Sequence, residues 1–102
     1  MDNLTIQGNT YDLRLIDDIV NHRINNNYNE ETAMYIQFRQ DIYTTYKQIR
    51  HICNPRACEK TSLQTVKASL KEHWLEQYLN LSLEEANLVI DYAERFFGLA
   101  IK

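Results

Sequence analysis

His51, Cys53 and Cys58 form the densest group of metal-capable and nucleophilic side chains in the chain, within Arg50-His51-Ile52-Cys53-Asn54-Pro55-Arg56-Ala57-Cys58. A zinc site takes about four thiolate, imidazole or carboxylate ligands, and His73 is the fourth candidate here. The spacing follows none of the paired C-x2-C patterns of zinc modules. Cys53 also falls on the apolar stripe of a long helix, where a buried thiol acts as a small hydrophobe. The sequence therefore assigns no metal and no cofactor. A Cys53–Cys58 disulfide would belong to an oxidising compartment, and nothing in the residues marks secretion.

Catalytic arrangements are equally sparse. Asp17-Asp18, Glu30-Glu31 and Glu84-Glu85 are adjacent pairs, and adjacent helical residues do not share a face. They make no ready acid/base dyad, and the glutamate pairs are explained as first-turn acids at helix N-termini. No serine or cysteine is tied by spacing to His22, His51 or His73. With two glycines in the chain, a backbone cradle for phosphates is nearly excluded. The sequence predicts a non-enzyme.

Charge is segregated along the chain. Residues 1–38 hold six acids and two bases, residues 39–71 seven bases and two acids, and residues 72–102 six acids and two bases. The net charge is −3. A basic middle of this kind is either neutralised by its acidic flanks or offered to an acidic protein or to nucleic acid. The overall pI of about 5.5 argues against a dedicated nucleic-acid binder.

These residues must be positioned by a chain of 102 residues with 44% hydrophobic and 25% charged content, ordinary for a soluble globular domain. We expect one helical domain over 1–102. No run approaches the roughly 20 apolar residues of a membrane span. MDNLTIQGN shows no basic-then-apolar signal, so a cytoplasmic location is expected.

Leu4 to Leu13 reads as a β-hairpin with Gly8-Asn9 as its two-residue loop, or as an arm capping the next helix at Thr10 or Asp12. Leu13, Ile16, Val20 and Ile24 form one face of a helix ended by Asn25-Asn26-Asn27. Asn29 caps a long helix over Glu30–Cys53, spanning about 35 Å. Its stripe is Tyr35, Phe38, Ile42, Thr45, Ile49 and Ile52, with Ile36, Tyr43 and Tyr46 or Lys47 as a second flank. Asn54-Pro55 breaks it and opens a short helical turn near 55–60. Thr61-Ser62-Leu63-Gln64 fits a capping box for a helix from Ser62 to Leu79, with Leu63, Val66, Leu70, Trp74 and Tyr78 inward. Ser82-Leu83-Glu84-Glu85 caps the last helix, Leu83 to Ile101, whose face is Ala86, Val89, Ile90, Ala93, Phe96, Phe97 and Ala100. The predicted class is all-α: a single-domain bundle of about four helices with a short N-terminal hairpin or arm.

Ser62-Leu63-Gln64-Thr65-Val66-Lys67-Ala68-Ser69-Leu70 has the S-x-x-T-V-K-x-x-L pattern and resembles the recognition helix of LuxR-type helix-turn-helix regulators. The resemblance implies nucleic-acid contacts by Gln64, Thr65 and Lys67, with Lys71 beside them. It covers nine residues, and Pro55 sits where that family's first helix should run. Ile6, Gly8, Tyr11 and Leu13 also look like the I-x-G-x-x-Y-x-L opening of some phage tail-assembly chaperones, with no function carried over.

Seven tyrosines are more than a core of this size takes in, and tyrosine favours interfaces. Tyr28, Tyr35, Tyr43, Tyr46 and Tyr78 are the ones to place. The leading expectation is a protein-binding inhibitor or adaptor, docking an acidic partner through Tyr43, Tyr46, Lys47, Arg50, Arg56 and Lys60. A nucleic-acid-binding regulator using Gln64, Thr65, Lys67 and Lys71 is the alternative. Acidic ends and a basic middle also suit a homodimer. The excess of Asn, Ile, Lys and Tyr over Gly, Ala, Pro and Arg points to an AT-rich genome and a phage or mobile-element origin.

Overall fold

The computed structural model describes residues 2–22, 30–58 and 60–98. The chain is mostly helical, with a short N-terminal antiparallel hairpin. In order the elements are β1 (Asn3–Ile6), β2 (Asn9–Asp12), α1 (Leu13–His22), α2 (Glu30–Cys53), α3 (Leu63–Ala68), α4 (Glu72–Trp74) running into a π-helical turn (Leu75–Leu79), and α5 (Leu83–Phe97). Contacts group these into two units, residues 1–41 and 42–102, with the boundary inside α2. No helix among the described residues is long and apolar enough to cross a membrane.

In residues 1–41 the hairpin turns at Gln7-Gly8 rather than Gly8-Asn9. Both residues have positive φ, +51° and +77°, as a type I′ turn requires, and glycine is the favoured second residue there. The register pairs Leu4 with Tyr11 and Thr5 with Thr10. Leu4, Ile6 and Tyr11 share the buried face, and the two threonine hydroxyls meet at 2.8 Å on the other. Asp12 ends β2 and also caps α1, its carboxylate accepting from the Arg14 N–H at 3.0 Å. The segment is thus a hairpin and not an irregular arm, and it leads into a helix capped at Asp12. Leu13, Ile16 and Ile19 are buried, with Phe38 of α2 edge-on to Tyr11 at 4.9 Å between ring centres. The expected roles of Ile24, Asn25-Asn26-Asn27, Tyr28 and Asn29 fall outside the described residues.

In residues 42–102, Ile42, Thr45 and Ile49 of α2 are buried as their spacing predicts, joined by Tyr46 and Cys53. Ile52 is only half-buried. After Cys53 the chain makes a turn closed by the Ala57 N–H on the Asn54 carbonyl at 2.9 Å, not a helical turn over 55–60. Pro55 suits its second position. Ser62 caps α3 by accepting from the Thr65 N–H at 3.1 Å. Thr61 is drawn away instead, its hydroxyl accepting from the Cys58 N–H at 2.9 Å.

The single helix expected over Ser62–Leu79 is interrupted. The Ser69 hydroxyl donates to the Thr65 carbonyl at 2.8 Å and receives the Asn54 side-chain amide at 3.2 Å. A serine that bonds back to the preceding turn competes with the helix. Lys71 is extended (φ −125°), so the apolar phase restarts. Leu75, in place of Trp74 and Tyr78, becomes the fully buried residue. Asn80 closes the turn at φ +53°, a left-handed conformation asparagine tolerates, while the Leu81 N–H reaches the Leu75 carbonyl at 3.1 Å.

Both halves of the Ser82/Glu85 capping box are present, at 3.0 and 3.1 Å. Ala86, Val89, Ile90 and Ala93 of α5 are completely buried, and α3 packs against this helix. Gly98 stops α5 in the left-handed conformation, φ +59°, where Ile101 was expected to end it. Ala100 lies outside the described residues.

Candidate functional site

Tyr43, Lys47 and Arg50 stand at i, i+4 and i+7 on α2 and therefore share a face. Tyr43 is half-buried and meets Phe97 of α5 edge-on at 5.3 Å, which fixes its ring. The Lys47 ammonium lies 4.5 Å from the centre of that ring, within the range of a cation–π contact. Arg56 and Lys60 follow in the connection after α2, both exposed.

Tyr46 is a correction. It is 1% exposed, the largest fully buried side chain among the described residues, and cannot offer its ring to a partner. Its position, 300° around α2 from Tyr43 by about 100° per residue, turns it back toward the buried Ile42, Ile49 and Cys53. Arg50 covers it, with the guanidinium carbon 5.5 Å from the ring centre.

Charge separates these cations from the others. Lys67 of α3 is bound to Asp91 of α5 at 2.5 Å. Among the described residues, Lys47, Arg50, Arg56, Lys60 and Lys71 have no carboxylate partner. Among the described residues of 42–71, the ion pair to the acidic C-terminal segment is thus made by Lys67.

The residues of the nucleic-acid reading are placed less favourably. α3 is six residues long, about 9 Å of helix. Thr65 is occupied by Ser62, their hydroxyls 2.7 Å apart, and Lys67 by Asp91. Gln64 is exposed, and the Lys71 ammonium lies 4.8 Å from the centre of the Trp74 ring. Nine residues, 54–62, separate α2 from α3, against the three or four of a helix-turn-helix.

Cys53 is buried and Cys58 exposed, both as free thiols. Among the described residues no three His, Cys, Asp or Glu side chains converge as metal ligands would. The backbone N–H of Lys60 and the Thr61 hydroxyl hold the Cys58 thiol below its ordinary range.

The most elaborate polar arrangement is one the residue pattern did not disclose. Asp41 is only 5% exposed. One of its carboxylate oxygens accepts from the Tyr11 hydroxyl and from the Asn9 amide at 2.9 Å, and the other from the Gln37 amide at 2.8 Å. Burial, and then the bond to this carboxylate, push the Tyr11 hydroxyl well above its ordinary range. A buried carboxylate with three donors joins the hairpin to α2. Of its members, only Gln37 and Asp41 are close in sequence, four apart on α2. Compared with known proteins, the chain matches no described family, no curated protein and no solved structure.

Proposed function

We propose that the chain is a non-enzymatic interaction module that binds an acidic protein partner, as an inhibitor or adaptor, through Tyr43, Lys47, Arg50, Arg56 and Lys60. The observation that carries this reading is the set of cations without carboxylate partners among the described residues, set beside a tyrosine that meets Phe97 edge-on. Complementary charge steers encounter and selects the partner, while a fixed aromatic contributes area with little loss of rotamer freedom. Lys47 and Arg56 are exposed, so reversing them should leave the fold intact.

Affinity capture from the host lysate, with the wild type and a Lys47→Glu/Arg56→Glu variant as baits, tests this. A protein held by the wild type and weakened about tenfold by the double reversal is the expected result. Equal capture by both baits overturns the surface. Fluorescence anisotropy with duplex and single-stranded DNA and RNA at two salt concentrations separates the other reading. Binding that falls steeply with salt would replace the protein partner with phosphate contacts.

A further inference from the structure

A shallow groove of about 250 Å³ is lined by His51 and Ile52 of α2, Trp74 of α4 and Tyr78 of the π-helical turn. It does not coincide with the tyrosine face. Ile52 lies nine residues after Tyr43, about 180° around the same helix. The lining is mostly apolar, yet Tyr78 is 61% exposed, unusual for a large aromatic beside an indole. The cause is local. Leu75 takes the buried position at the start of the π-helical turn, and Tyr78 is turned outward. Turns of this type interrupt helices and are frequent at functional sites.

Volume and charge select the occupant. Small-molecule sites enclose about 300–1,000 Å³. This groove is smaller and open, the size for a single anchoring side chain of the kind that dominates protein interfaces. Lys71 stands over the Trp74 ring at 4.8 Å and has no carboxylate partner among the described residues.

We propose that this groove receives one apolar side chain from an acidic peptide segment of a partner protein. The anchor sits among Ile52, Trp74 and Tyr78, and its flanking carboxylates face Lys71. The proposal rests on the reading that the partner is an acidic protein and adds a second subsite to it.

Trp74 is the chain's single tryptophan, so its fluorescence reports on the groove alone. The probe is a pentapeptide of one phenylalanine flanked by two glutamates on each side. Saturable change in Trp74 emission, with protection from acrylamide quenching, is expected. Tyr78→Ala and Lys71→Glu should each weaken it about fivefold. The same peptide with glycine for phenylalanine, or lysine for glutamate, should give no saturable response.

No saturable response to the acidic peptide, or equal responses to all three peptides, overturns the proposal. So does a saturable response to single-stranded oligonucleotide in its place, because a base can also stack on an indole. Tyr43→Ala should leave the peptide response unchanged. Loss of the groove response with charge-dependent capture retained would therefore remove this subsite and leave the tyrosine face standing.

Discussion

Asp41 shows how one residue can decide a local structure. Its carboxylate is taken out of water and held by the Tyr11, Asn9 and Gln37 donors. Truncation leaves the buried Tyr11 hydroxyl unmatched, while the exposed Asn9 and Gln37 amides can turn to water, so Asp41→Ala should cost about 1–3 kcal/mol in urea unfolding. Tyr11→Phe should cost about 1–2 kcal/mol by the same measurement. Tyr11 also sets an alkaline limit. Its hydroxyl is raised above the ordinary value of 10.0 in the folded chain, so the folded state holds the proton more tightly than the unfolded one. The stability from this bond is complete below pH 10 and declines as pH rises past it. Tyr11→Phe should flatten that alkaline decline, and an unchanged pH profile would rule Tyr11 out as its source. The tyrosines of α2 divide in the same way. Tyr46→Ala should cost about 3–5 kcal/mol as a core truncation, and Tyr43→Ala about 1 kcal/mol. Among the cysteines, Cys58 should react with a thiol reagent in the native protein and Cys53 only after denaturation.

At the level of elements, the ends of the helices are set by caps more than by propensity. Ser82→Ala removes one half of a reciprocal box and should cost about 1 kcal/mol in thermal or chemical unfolding. Gly8 has open space around it but sits at φ +77°. Gly8→Ala should therefore destabilise by about 1 kcal/mol through backbone strain alone. The break at Ser69 and the π-helical turn do more to shape the surface. They rephase the segment after α3 so that Leu75 is buried while Trp74 and Tyr78 line a groove. An uninterrupted helix would have buried the indole and phenol that now face outward.

For the whole molecule, charge is the property that separates the readings. Five cations of residues 42–102 lack carboxylate partners among the described residues, and Lys67 has one. Lys67→Ala should therefore change stability slightly and partner capture hardly at all, whereas Lys47→Glu/Arg56→Glu should change capture and leave unfolding nearly unaltered. The reverse pattern, with Lys67 controlling binding, would favour the helix at Ser62 as the contact element.

The sequence by itself determined the helix of 30–53, the Ser82 cap that starts the last helix and the buried Cys53, and it offered the hairpin with its loop one residue late. Each depends on neighbours within a turn or a strand, where three- and four-residue spacing and side-chain-to-backbone bonds act. Only the tertiary structure decided which flank of α2 is covered, and hence that Tyr46 is core and Tyr43 is not. Periodicity ranks faces of one helix but says nothing of the angle at which neighbours approach. The Tyr11–Asp41 bond spans thirty residues, and the Asn54–Ser69 contact that accompanies the break after α3 spans fifteen. Partners so far apart are chosen by packing, which no local pattern records.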